Sequence, residues 1–236
     1  MDFTPDQVVV WEWGALRLNA TILWTWVVMA ILAAGCWALA RGLHAGEELS
    51  PGQNLLEAVV ATIEGQMKDV SGQDPRRFLP FVGTLFLFIV VSNVLSIVPG
   101  YRPPTGSLST TAALAICVFI AVPVFGIQQQ GLRQYLRQYV QPSVVMLPFT
   151  VIGELSRTLA LAVRLFGNVM SGTVIAALLL GVAPLFFPVV MQAFGLLIGV
   201  IQAYIFAILA MVYIASATRV HQEAAGTPKE GRRSHG

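Results

Sequence analysis

The chain has 236 residues, of which 56% are hydrophobic and only 11% are charged, and its mean hydropathy is +0.73. This composition excludes an ordinary soluble domain, because several charge-free stretches are long enough to cross a bilayer. The formal net charge of +2 is too small to suggest binding to nucleic acid. The sequence therefore predicts a multi-pass integral membrane protein, embedded in a lipid bilayer, in which the positions of the few charges matter.

Five membrane-embedded helices are predicted after an external N-terminal segment over residues 1–20. Their predicted ranges, in chain order, are 21–40, 78–98, 109–126, 143–180 and 187–217. The remaining residues, 218–236, form a polar cytoplasmic tail that we expect to be disordered. The predicted fold class is an all-α integral membrane protein with about five membrane helices, of which the last two form a long, strongly tilted hairpin.

Two polar connections are typical of amphipathic helices at a membrane interface. In the first, Leu55, Val59, Ile63 and Met67 recur every fourth residue, while charged residues fall on other faces. The second connection is QQQGLRQYLRQYVQP, which begins at Gln128. We therefore expect interfacial helices beside the membrane helices.

Lys and Arg are concentrated in alternate connections and in the C-terminal tail. The positive-inside rule then places the C-terminus in the cytoplasm and the acidic N-terminus outside, as five crossings require. The last two predicted helices are longer than a bilayer needs: residues 143–180 span about 55 Å against a hydrocarbon core of about 30 Å. We expect both helices to tilt, bend or break, with Pro148 assisting near one end.

No metal site or cofactor is predicted. Cys36 and Cys117 lie in apolar runs and are expected to be small packing residues. The three histidines lack ligand spacing, and the chain contains no glycine-rich loop of the kind that cradles phosphate. The sequence shows no internal repeat, so a duplicated transporter architecture is not predicted.

The segment LAVRLFGNVMSG, residues 161–172, places Arg164 at membrane depth. On a helix, the side chains of Arg157, Asn168 and Ser171 lie within about 40° of Arg164, and that of Glu154 lies about 80° away. Polar groups thus form a stripe along one side of a membrane helix. Gly153, Ala160 and Gly167 lie on or beside this stripe and make it shallow enough for another helix to approach.

Arg164 has no evident counter-ion in its own chain. The only acid between Asp74 and Glu223 is Glu154, about 15 Å along the helix axis from Arg164. An arginine at this depth costs from about 3 to more than 10 kcal/mol and does not deprotonate. In a structural role, the guanidinium of Arg164 reaches the membrane interface or bonds backbone carbonyls. In a functional role, it faces a water-filled cavity or a carboxylate supplied by another chain.

A second polar group lies in the last predicted helix. Gln202 shares a helical face with Gly195 and Gly199, again on a shallow stripe. Alone, such a glutamine is typical of a hydrogen bond between helices, whereas beside an unpaired arginine it indicates a functional site.

These residues carry a resemblance to a known family. RLFGN, preceded by PFTVIGELSRTLALAV and followed after a hairpin by QAYIFAILAMVYIASA, resembles the a subunit of F-type ATP synthases. The segment SNVLSIVPGYRPPTGSLSTTAALA is also similar to that family. The resemblance covers most of the chain from about Gln53 onward.

The resemblance implies a membrane stator against which a ring of c subunits rotates, with no catalytic site of its own. The family's essential arginine falls on Arg164, its following asparagine on Asn168, its late glutamine on Gln202, and a frequent acid on Glu154. Arg164 is expected to drive ion release from the ring carboxylate and to block a direct path between two ion half-channels. The implied partners are the c ring, the peripheral-stalk b subunits and the remaining ATP synthase subunits, in a bacterial inner membrane.

Several polar side chains are candidates for lining channel water or supporting the arginine: Arg157, Asn168, Asn93, Ser171, Thr173, Ser107, Ser109, Thr110 and Thr111. The chain departs from the family at Thr173 and Gly195, where many members carry a titratable pair. Either the outer path is simply filled with water, or the ion is Na⁺, or the relay lies elsewhere.

Two other functions agree with the residues alone. The chain is alternatively a self-contained channel or transporter in which Arg164 binds an anionic substrate, or a scaffold that transports nothing. Loss of coupled transport on substitution of Arg164 distinguishes the stator from the scaffold, and dependence on a partner ring distinguishes it from the transporter.

Overall fold

The computed structural model describes residues 9–13, 16–41, 51–71, 75–98, 100–135, 146–182 and 187–225. Six helices account for most of them: α1 (Ala20–Arg41), α2 (Pro51–Ser71), α3 (Leu79–Val94), α4 (Leu108–Gln130), α5 (Met146–Val182) and α6 (Phe187–Ala225). All of these except α2 are long and apolar enough to cross a membrane. The predicted all-α membrane fold is confirmed.

A small antiparallel hairpin precedes the helices and was not predicted. Its strands are β1 (Val9–Trp13) and β2 (Leu16–Asn19), and β2 leads directly into α1. The β1 sequence VVWEW is rich in β-branched and aromatic residues, which favour strands. The signal was therefore present in a segment that was described only as external.

The helix boundaries differ from the predicted ranges at two C-terminal ends. Helix α4 continues to Gln130 and ends at Gly131, whose φ of 79° suits glycine and whose N–H bonds the Ile127 carbonyl at 2.8 Å. Residues 132–135 begin a further helical turn, and the rest of the second predicted amphipathic stretch lies outside the described residues. Helix α6 continues to Ala225, so residues 218–225, predicted as tail, are helical; residues 226–236 lie outside the described residues.

The two long helices are unbroken. Helix α5 has 37 residues and α6 has 39, which correspond to about 55 and 58 Å. Pro148 and Pro188 lie in the first turn of their helices, where a missing N–H costs no hydrogen bond. Of the three expected possibilities the structure excludes a break, and steep tilt or gentle bending is what remains to fit them into a bilayer of about 30 Å.

Helix α6 is the central element and packs against α2, α3, α4 and α5. One cluster of buried residues includes Ile89, Leu165 and Phe206, and a second includes Phe78 and Met211. Four alanines of α6 are buried, and their small side chains let neighbouring backbones approach closely: Ala203, Ala207, Ala210 and Ala215. The core thus lies between the helices rather than within a sheet or a layer.

The interfacial helix α2 is attached to this bundle at several points. Ile63, on its predicted apolar face, is buried, and the Tyr204 hydroxyl of α6 donates a hydrogen bond of 2.8 Å to Gln66 Oε1. Glu64 pairs with Arg76 at 3.5 Å just beyond the end of the helix. Glu57 and Lys68 are exposed, as the amphipathic pattern predicts.

The outer surfaces of the membrane helices are apolar. Trp26, Leu159 and Leu197 are each more than half exposed, as expected of side chains that face lipid or a partner subunit. Cys36 and Cys117 also lie on these exposed surfaces. The expectation that the two cysteines are core packing residues is therefore wrong, because a hydrophobic run in a membrane helix does not say which of its faces turns inward.

Candidate functional site

Arg164 projects from the middle of α5 away from the core. Its side chain is exposed, while its neighbours Leu161 and Leu165 are buried at 1% and 0% exposure. Within the described part of the chain, the guanidinium makes no hydrogen bond or ion pair. The helix thus turns its apolar face inward and its arginine outward.

The two long helices also expose apolar side chains. Leu159 and Val163 of α5 are 56% and 59% exposed, and Leu197 and Ile201 of α6 are 57% and 48% exposed. An arginine on a membrane helix that faced lipid would cost at least about 3 kcal/mol. Water or a negatively charged group beside the guanidinium would offset that cost.

Asn168, close to Arg164 in the sequence, joins α5 to α6. It lies one turn beyond Arg164 on the same side of α5, and its Nδ2 donates a hydrogen bond of 2.6 Å to Gln202 Oε1. Gln202 is only 3% exposed. The amide of Gln202 therefore supports the exposed polar surface from behind and does not itself lie on it.

The other polar atom of the Gln202 amide has no hydrogen-bond partner among the described residues. This atom, Nε2, is buried. A buried unpaired donor of this kind costs about 1–3 kcal/mol unless water satisfies it.

Asn93 makes two hydrogen bonds inside the protein. Its Nδ2 donates to the Gly199 carbonyl at 3.0 Å, and its Oδ1 accepts from the Thr105 hydroxyl at 2.8 Å. All three residues are buried. Asn93, a candidate for lining channel water, thus joins α3 to α6 through Nδ2 and to the α3–α4 connection through Oδ1.

The predicted hydroxyl cluster at the start of α4 is largely satisfied locally. Ser107 and Thr111 are buried, and Thr111 Oγ1 donates to the Ser107 and Leu108 carbonyls at 3.2 and 3.1 Å. Ser109 shares a hydrogen bond of 2.7 Å with the Ser107 hydroxyl. These contacts shape the entry to α4, and Thr110 is only partly buried.

On α5 beyond Asn168, exposed polar side chains continue but include no acid or base: Ser171 lies on the side of Arg164, and Thr173 lies on the opposite side. Ser171 Oγ donates to the Asn168 carbonyl at 3.1 Å, and Thr173 Oγ1 donates to the Val169 carbonyl at 2.9 Å. Both side chains are exposed. Gly195 is also exposed and has open space where a side chain would lie.

Glu154 and Arg157 lie elsewhere, in the wall of a cavity of about 300 Å³ between α4, α5 and α6. The polar residues of its wall are Tyr135, Thr150, Glu154, Arg157, Thr158, Tyr213 and Ser216. The Arg157 guanidinium lies 5.7 Å from the centre of the Tyr213 ring. Glu154 precedes Arg164 by about 15 Å along α5, so the cavity and the arginine lie at different positions along this helix.

Sequence reasoning missed several members of this polar region. Tyr213 and Ser216 follow a long apolar run of α6, and nothing in the sequence indicates that they face Glu154. Ser92 and Tyr101 are two further buried polar residues that the sequence reasoning did not single out. Tyr101 lies in the connection between α3 and α4, where burial raises its pKa to about 12 and keeps the phenol neutral.

Comparison with known proteins identifies relatives over the whole chain. Residues 22–215 match the family described as "ATP synthase A chain". The "ATP synthase subunit a 2" of Acaryochloris marina is 59% identical over 236 residues, which is 100% of both chains. The "ATP synthase subunit a" of Nitrosospira multiformis is 56% identical over 96% of this chain and 90% of the relative, and that of Albidiferax ferrireducens is 58% identical over 93% and 95%.

Proposed function

Because the chain belongs to the ATP synthase A chain family, we propose that it is the membrane stator of a rotary ATP synthase, against which a ring of c subunits turns. The observation that carries the proposal is the exposed guanidinium of Arg164, which lies in the middle of a membrane-length helix and has no partner in the described part of its own chain. A carboxylate on a neighbouring ring offsets that charge. The exposed faces of α5 and α6 form the surface on which the ring slides.

Arg164 acts through its charge. An opposite charge within about 4–6 Å lowers a carboxylate pKa by roughly 1 to 3, so a ring carboxylate that arrives loaded gives up its ion beside Arg164. The same fixed cation repels any ion that tries to pass directly between the two half-channels. Asn168, held by the buried amide of Gln202, fixes the polar surface next to the guanidinium.

The cavity beside Glu154 and Arg157 serves as the cytoplasmic half-channel. The basic connections and the C-terminus place this end of the bundle on the cytoplasmic side. Its polar wall supports water, and Glu154 balances the charge of Arg157 so that neither cations nor anions are excluded.

The outer half-channel follows the part of α5 and α6 beyond Arg164. Thr173 and Gly195, which occupy positions that are often titratable in the family, offer no proton relay. Water in contact with exposed neutral groups, Ser171 among them, then carries the ion to the ring. The identity of the ion depends on the ring subunit.

The other proposed partners follow from the same role. The peripheral-stalk b subunits and the nucleotide-binding subunits supply what a stator lacks, since this chain contains no phosphate-cradling glycine loop. The complex lies in a bacterial inner membrane, with the N-terminus of this chain outside and its C-terminus in the cytoplasm.

The test uses membrane vesicles that contain the complete ATP synthase. Arg164→Ala is expected to abolish ATP-driven ion pumping while the chain still inserts and assembles, and Arg164→Lys to retain little activity because an ammonium lacks the planar fork of a guanidinium. Arg102→Ala is the matched control, since Arg102 is exposed and lies outside the membrane-spanning segments. Full pumping by the Arg164→Ala complex contradicts the proposal, and transport by the isolated chain without a ring favours a self-contained transporter.

A further inference from the structure

The end of α3 and the connection that follows it are joined to both long helices. Asn93 donates from the end of α3 to the Gly199 carbonyl of α6, and Thr105 of the connection donates to Asn93. Farther along the connection, Gly106 lies against α5, because a Cβ atom built there meets Val169 Cγ1 at 3.2 Å. Asn93 thus ties α3 to α6, and the connection bonded to it packs against α5.

Gly199 is the residue that makes the α6 contact possible. A Cβ atom at this position meets Asn93 Cβ, Cγ and Nδ2 at 3.0 Å each, a distance at which Asn93 has to move. Asn93 is 5% exposed and bonded at both ends of its amide, so it has little freedom to do so. The close approach and the two hydrogen bonds depend on one another.

Both contacts lie next to the bond that supports the arginine. Gly199 precedes Gln202 by three residues, less than one helical turn, and Val169 directly follows Asn168. Asn93 therefore contacts α6, and Gly106 contacts α5, within one helical turn of the residues that form the hydrogen bond from Asn168 to Gln202. A shift of α6 along α5 by a single residue, about 1.5 Å, would break that bond of 2.6 Å.

We infer that Asn93 is a positioning residue of the ion-translocating site, which, together with Thr105 and Gly199, fixes the register of α6 against α5. Through that register it sets the position of Gln202 and Asn168 beside Arg164. The inference rests on the proposed stator function. It assigns Asn93 a role in geometry, because both Nδ2 and Oδ1 are bonded to other elements of the fold and the side chain is only 5% exposed.

The experiment compares substitutions that remove single parts of this contact in the complete ATP synthase. Thr105→Val removes the hydroxyl but keeps the shape, Thr105→Ser restores the hydroxyl, and Gly199→Ala introduces the clash. The matched controls are Thr84→Val, whose hydroxyl bonds only the Pro80 carbonyl of its own helix, and Gly83→Ala, which has open space for a Cβ atom. ATP-driven pumping is measured per assembled complex, as a function of ion concentration and pH.

We expect Thr105→Val and Gly199→Ala to lower the pumping rate by about tenfold, equivalent to about 1.4 kcal/mol, and to displace its dependence on ion concentration or pH. Thr105→Ser is expected to return the rate and the profile to those of the parent. A purely structural contact would instead lower the amount of assembled complex and leave the profile in place.

Two results overturn the inference: rates for Thr105→Val and Gly199→Ala equal to those of their controls, or losses that are fully explained by assembly with an unchanged profile. Either result, together with an inactive Arg164→Ala complex, rejects only the positioning role. An active Arg164→Ala complex rejects the stator function itself.

Discussion

The hydrogen bond between Asn168 and Gln202 leads to an asymmetric prediction for two substitutions. Gln202→Met keeps the volume and the unbranched shape of the side chain but removes both of its polar atoms. Asn168→Ala removes the partner and leaves the polar atoms of Gln202 in place. Gln202 is 3% exposed, whereas Asn168 is exposed. We expect the change at the exposed residue to destabilise the protein more.

The magnitudes follow from counting unpaired atoms. In the parent, Oε1 of Gln202 is bonded at 2.6 Å and Nε2 has no described partner. Gln202→Met loses one hydrogen bond, worth about 0.5–1.5 kcal/mol, and relieves one unpaired donor, worth about 1–3 kcal/mol, so its net effect on stability is close to zero or favourable. Asn168→Ala leaves a second buried atom of Gln202 unpaired and costs about 1–3 kcal/mol.

Pumping is expected to respond differently from stability. Both substitutions remove the hydrogen bond that holds the polar surface beside Arg164. Both are therefore expected to lower ATP-driven pumping by about tenfold, which corresponds to an increase of about 1.4 kcal/mol in the activation free energy. The assay measures thermal unfolding of the purified complex and pumping in vesicles for the same two variants. The reasoning is refuted if Gln202→Met is the less stable of the two, or if it pumps at the parent rate.

Three further changes test other parts of the structure. Glu154→Gln is expected to slow pumping by about fivefold, because a cation about 4 Å from a carboxylate in a water-filled cavity gains about 1 kcal/mol. Gly126→Ala is expected to lower stability by about 1–3 kcal/mol in thermal unfolding, since the new Cβ lies 2.6 Å from the Tyr135 ring. Burial raises the pKa of Tyr101 from 10.0 to about 12, so the stability linked to its proton is complete below pH 10 and is lost as pH rises towards 12. Tyr101→Phe is expected to remove that part of the alkaline decline.

Each of these changes has a control within the chain. Glu57→Gln removes an exposed carboxylate of α2 and is expected to leave pumping unchanged. Gly83→Ala meets nothing within 4 Å, so the higher helix propensity of alanine is expected to raise stability slightly. An equal effect of a change and its control, or an alkaline decline that persists without the Tyr101 hydroxyl, contradicts the corresponding prediction.

The membrane fold and the central residue of the site were accessible from the sequence because both depend on local composition. Apolar runs of more than eighteen residues predict membrane helices regardless of how those helices pack, and an arginine within such a run is conspicuous wherever it faces. Helical periodicity also placed Asn168 and Ser171 beside Arg164. The same reasoning failed for Cys36, because one apolar helix face looks like another when lipid and core are equally apolar.

What each polar group faces was decided by tertiary structure alone. The sequence shows Gln202 and Asn93 as polar residues in apolar surroundings, and it does not indicate which groups they bond. The fold buries both side chains. Gln202 accepts a hydrogen bond from Asn168, and Asn93 donates one to the Gly199 carbonyl. Such pairings join residues that are 34 and 106 positions apart, and their geometry depends on helix packing to within an ångström. A periodic pattern records the direction of a side chain around its own helix, and it contains no distance to the next helix.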